Sequence, residues 1–135
     1  MIKKLFVSLI LGLMTITLAS AAGPEIKEGK WEITTKLEMP GMPVKMPPNT
    51  FTQCIKKDQA VPQDSQPGQN CTTKDVVMKG DTVTWTMVCN NPGGQMTGKG
   101  RVTYHKDEMD GSMTMEGQGM QMTSHFKGKR IGPCQ

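Results

Sequence analysis

Lys30-Trp31-Glu32-Ile33-Thr34-Thr35-Lys36-Leu37-Glu38-Met39 is the stretch that decides the fold. Trp31, Ile33, Thr35, Leu37 and Met39 fall on one face, and Lys30, Glu32, Thr34, Lys36 and Glu38 on the other. A period of two with one charged side marks a half-buried antiparallel strand whose polar face meets water. The same alternation returns in the C-terminal half. Thr72–Met78 and Thr82–Cys89 read as a hairpin about Lys79-Gly80-Asp81, with Val83, Trp85, Met87 and Cys89 on one face. Asn90-Asn91-Pro92-Gly93-Gly94 is a strong turn signal. Gln95–His105 then sets Met96, Gly98, Gly100, Val102 and Tyr104 inward. After a turn at Lys106-Asp107-Glu108 the inner positions are Met109, Gly111, Met113 and Met115. Past Glu116–Gly119 they are Met120, Met122, Ser124 and Phe126. With a short strand at Phe51–Lys56, the expected fold is all-β. It is an antiparallel meander of seven or eight short strands, forming a closed or partly open barrel.

Outward from these strands, residues 1–21 form a different kind of segment. Lys3 and Lys4 precede an apolar run from Leu5 to Leu18, which ends in Ala19-Ser20-Ala21. This is the pattern of a secretory signal peptide cut after Ala21, leaving no membrane span. Residues 22–135 then make one β domain, of a size ordinary for a single core. Within it, residues 40–50 carry four Pro and three Met or Val side chains (Met42, Val44, Met46) and read as an extended loop, since Pro forbids helix and central strand. Residues 57–70, with Pro62, Pro67 and Gly68, read as a second long loop. The expected compartment is the periplasm or the exterior. Without Lys3 and Lys4 the charge is nearly balanced, which argues against a nucleic-acid partner.

From Ala22 onward the large apolar residues are one Leu, four Ile, seven Val and two Phe, alongside eleven Met. Such a core is thin and calls for staples. Four Cys in an exported chain point to two disulfides. Cys71 and Cys89 lie symmetrically about the turn at Gly80, so hairpin register favours Cys71–Cys89 and leaves Cys54–Cys134. There is no C-x-x-C pair of the kind a zinc site uses.

Little here supports catalysis. From Ala22 onward there are three Ser, no G-x-S-x-G elbow and no Cys left free as a nucleophile. His105 and His125 fall on the outer face. The chain therefore reads as a non-catalytic domain without a cofactor. A Met-lined interior suits a small apolar ligand, because Met adapts to irregular apolar shapes. Trp31, Trp85, Met113 and Met115 are the candidate ligand-binding residues. Met39, Met42 and Met46 offer an alternative: clustered thioethers select Cu(I) or Ag(I). The exposed loop 40–50 leaves room for a protein partner instead.

Two resemblances bear on this. Gly29-Lys30-Trp31 near the start and Arg130 near the end are similar to the closure of lipocalin-like (calycin) barrels, in which a late Arg lies over an early Trp. A broader resemblance follows the order Gly29-x-Trp31-Glu32, Met39-Pro40-Gly41-Met42-Pro43, Gln53-Cys54, Cys71, Trp85-x-x-x-Cys89, Gly98-x-Gly100, Tyr104 and Arg130-Ile131-Gly132-x-Cys134. In these motifs the chain resembles a family of short exported bacterial proteins catalogued as a domain of unknown function. That resemblance implies a periplasmic, Cys-bridged, mostly β domain, and no activity.

Overall fold

Alternation becomes seven strands in a single antiparallel sheet. The structure is a computed structural model and describes residues 26–43, 45–63 and 70–135. The expected signal peptide, Val44 of the Pro-rich loop and residues 64–69 of the expected second loop lie outside the described residues. The strands are β1 (Gly29–Glu38), β2 (Asn49–Ile55), β3 (Asn70–Lys79), β4 (Thr82–Asn91), β5 (Gly94–His105), β6 (Glu108–Gly117) and β7 (Met120–Gly132). β2 and β3 begin two residues earlier than their alternation suggests. Pairing of Asn49 with Thr35 and of Asn70 with Asn90 carries these weak strand formers along.

Lateral order is β2-β1-β7-β6-β5-β4-β3. Strands β3 to β7 form the expected meander. The first and last strands are neighbours, with Trp31 opposite Arg130. The sheet nonetheless stays open, because β2 adds outside β1 and no ladder joins β2 to β3 among the described residues. The result is a curled half-barrel. A closed calycin barrel removes both edges; here two remain.

The inner face is built in cross-strand rows, each crossing the sheet at right angles to the strands. One row holds Tyr104, Met109, Gly128, Ile33 and Phe51; the next holds Val83, Val102, Gly111, Phe126 and Thr35. Then come Trp85, Gly100, Met113, Ser124 and Leu37, followed by Met87, Gly98, Met115 and Met122. Each of these rows contains one glycine, and a large neighbour in the same row lies over it. Met109 covers Gly128, Phe126 covers Gly111, Trp85 covers Gly100 and Met115 covers Gly98. A tightly curled sheet has less room inside than its residue count demands, and glycine at one place per row relieves the crowding.

The first two rows make a dense end. Trp31, Ile33, Ile55, Val83 and Val102 are wholly buried. Trp31 meets Tyr104 edge to face, with ring centroids 5.7 Å apart. Segment 26–28 caps this end: Ile26 is buried, Trp31 Nε1 donates to Lys27 O at 3.1 Å, and Arg130 Nε donates to Glu28 O at 2.9 Å. The guanidinium thus turns towards the cap at Gly29. Between the two edge strands, Ala60 and Val61 are buried and Tyr104 O–H donates to Ala60 O, so residues 56–63 strap the open side.

Two disulfides staple the edges. Cys71–Cys89 joins edge strand β3 to β4, and Cys54–Cys134 ties edge strand β2 to the segment after β7. Both are the pairings that hairpin register favours, and an oxidising environment suits them.

Candidate functional site

Towards the opposite end of the half-barrel the rows run out of Trp, Tyr and β-branched residues and Met takes over. Met is slender at its base and flexible beyond it, so a row of Met facing a curled sheet does not fill the space a row of aromatics fills. A cavity of about 480 Å³ opens there. Six methionines line it: Met87 on β4, Met96 on β5, Met113 and Met115 on β6, Met122 on β7 and Met46 from the Pro-rich loop. Leu37, Phe51, Pro47 and Pro62 add apolar surface. Thr35, Asn49, Asn91 and Ser124 supply neutral polar groups, and the Cys71-bonded Cys89 completes the wall. No charged side chain lines it among the described residues.

The wall has two sides. Thr35 and Asn49 are directly paired across β1 and β2, so two of the neutral polar groups stand together on that flank, with Ser124 on neighbouring β7 and Asn91 apart from them on β4. The thioethers of β4 to β7 face them. Below lies the dense end, against which Phe51, Met87 and Met113 pack. Trp85 stands in the same row as Met113 and Leu37, packed at 6.3 Å from the Phe126 ring. Its Nε1 is buried and donates to no acceptor among the described residues.

Of the residues singled out from sequence, Met113 and Met115 line the cavity, and both are half-buried. Trp31 and Trp85 belong to the packed core at 0% and 3% exposure and do not line it. Of Met39, Met42 and Met46, only Met46 reaches the wall; Met39 is half-buried and Met42 is 59% exposed. Met120, expected inward, is 58% exposed, because it leaves the Gly119 turn beyond the last row. Sequence reasoning missed Met87, Met96, Met122, Leu37 and Phe51 as lining residues. The inward faces of Met87, Met96, Met122 and Leu37 were legible and that of Phe51 was not, but whether an inward face is filled or hollow depends on the row each residue joins.

The outer face carries the histidines. His105 Nε2 lies 3.1 Å from Asp110 Oδ1, and His125 Nε2 lies 3.5 Å from Glu38 Oε2. All four groups are exposed, and neither pair approaches the cavity wall.

Fold and site together define a disulfide-stapled antiparallel half-barrel, plugged at one end and hollow at the other. The chain belongs to the family described as protein of unknown function (DUF3617), whose model matches residues 26–134. The match spans the cap at Ile26 through the staple at Cys134. No curated protein and no solved structure gives a match.

Proposed function

We propose that this is an exported, non-catalytic domain of the periplasm or the exterior, which binds a small uncharged apolar molecule in the Met-lined cavity. The observation that carries the reading is a hollow of about 480 Å³ without a charged side chain, kept open in a chain short of core residues. Small-molecule sites have this size and this mixture of apolar wall and few polar groups. Flexible thioethers adapt to the ligand's shape and contact aromatic rings favourably. The paired Thr35 and Asn49 offer hydrogen bonds to one edge of the ligand.

The neutral fluorescent probe N-phenyl-1-naphthylamine tests this. The wild-type domain is expected to enhance its emission saturably. Met115→Asp places a charge in the wall and is expected to weaken binding by about tenfold or more, since an unpaired charge must be desolvated on contact with an apolar ligand. Met120→Asp, on the exposed turn, should bind as the wild type does. Absence of saturable binding by the wild type, or equal binding by Met115→Asp, overturns the reading.

A further inference from the structure

An apolar ligand explains a hollow with a pliant wall, but thioether sulfur can also act as a donor. Between Leu5 and Leu18 the chain uses Leu five times, yet from Ala22 onward it uses Leu only at position 37. The cavity wall repeats that choice, with six Met and one Leu. Leu would supply similar apolar area with better-defined rotamers; thioethers give the wall its flexibility and, beyond that, donor sulfur.

Register concentrates these sulfurs. Met87, Gly98, Met115 and Met122 occupy one row across β4 to β7, and Met113 stands in the row beneath. Gly98 is the gap in that row. A Cβ built there would collide with Met115 Sδ and would come within 2.9 Å of Met113 Cε. The thioether of Met115 therefore leans over β5, towards the strand that carries Met87, and the tip of Met113 reaches the same spot. The missing side chain at Gly98 leaves a place over which the ends of Met115 and Met113 lie, and Met87 is paired with Gly98 on the other flanking strand.

We propose that Met87, Met113 and Met115 form a binding site for a soft monovalent cation, Cu(I) or Ag(I), above Gly98. Thioethers are neutral, polarizable donors that select such ions, whereas hard and borderline cations want carboxylate or imidazole. The wall supplies neither, and among the described residues no three His, Cys, Asp or Glu side chains gather as a metal-binding group. Both Cys pairs are oxidised, so no thiolate competes for the ion. The site lies on the strands, away from Met42 in the Pro-rich loop. It stands independently of the apolar-ligand reading, since replacing Met by Leu keeps the greasy wall and removes only the sulfur.

Ag(I) titration of the intact disulfide-bonded domain tests it, followed by NMR of the Met methyl groups, with anaerobic Cu(I) competition against a chromophoric chelator as the second measurement. One equivalent is expected to bind and to shift the Met87, Met113 and Met115 methyl signals. Met87→Leu and Met115→Leu should each lower Ag(I) affinity by about tenfold or more, while Tm stays near wild type. Met39→Leu with Met42→Leu, at residues outside the cavity wall, should leave Ag(I) affinity unchanged. The proposal falls if the wild type takes up no stoichiometric ion, if the two strand variants bind as tightly as the wild type, or if the loop variant is the one that loses affinity.

Discussion

Tyr104 shows how much one side chain does at the packed end of the half-barrel. Its ring meets Trp31 edge to face, and its hydroxyl ties β5 to Ala60, 44 residues earlier in the chain. Burial pushes the phenol well above its ordinary value of 10.0. The folded protein therefore holds this proton to higher pH than the unfolded chain does. Its contribution is complete below pH 10 and declines as pH rises further, by about 1.4 kcal/mol per unit until the folded phenol itself ionises. Tyr104→Phe is expected to cost about 1 kcal/mol at pH 8, the worth of a typical hydrogen bond. By pH 11 that deficit should vanish or reverse, because the variant has no phenol to keep protonated. Urea unfolding of both proteins at the two pH values measures this; a deficit that stays constant would mean the phenol titrates normally in the folded state.

At the level of elements, the strand faces were legible because a period of two needs no knowledge of neighbours. Trp31 to Met39 and Val83 to Cys89 point where their alternation says. The curl was not legible, since it depends on which glycine meets which bulky residue across a ladder. A Cβ at Gly111 would collide with the backbone carbonyl of Arg101, and one at Gly100 with the indole of Trp85. Neither a carbonyl in a ladder nor a packed indole has room to move. At Gly98 the obstacles include Met115 Sδ and the end of Met113, both on flexible side chains. Gly111→Ala and Gly100→Ala should therefore each cost about 1–3 kcal/mol, the range for overpacking a tight interior. Gly98→Ala should cost less, and should narrow the cavity. Thermal unfolding of the three variants checks the order; equal losses at all three would show that the covering side chains do not set the curl.

For the molecule as a whole, the staples matter more than a thin core would suggest. The Cys54–Cys134 bridge spans 80 residues and Cys71–Cys89 spans 18. In the chain-entropy picture the first contributes about 4.5 kcal/mol and the second about 3 kcal/mol. Cys54→Ser with Cys134→Ser is accordingly expected to lower stability more than Cys71→Ser with Cys89→Ser, as measured by guanidinium unfolding. The reverse order would place the larger effect in strain or residual structure. The pairings were legible from hairpin symmetry. The position of β2 outside β1 was not, because the Pro-rich stretches on either side of β2 carry no periodic signal to say which edge it joins. Whether Met113 and Met115 fill the interior or border a hollow was likewise settled only by the rows, which leave the aromatic and β-branched bulk at one end.

The nesting of the two bridges has a consequence for biogenesis. Under the export proposed above, with the N-terminus delivered first, the four thiols would arrive in the order Cys54, Cys71, Cys89, Cys134, and the earliest pair available, Cys54 with Cys71, is not a native one. The correct partner of Cys54 arrives last. Cys54 must therefore wait as a thiol or be rescued from a wrong partner by thiol–disulfide exchange, a process of seconds to hours without a catalyst. A short domain exported in this way is therefore expected to form its native bridges more slowly in a host lacking a disulfide isomerase, where exchange and not sheet formation limits the yield.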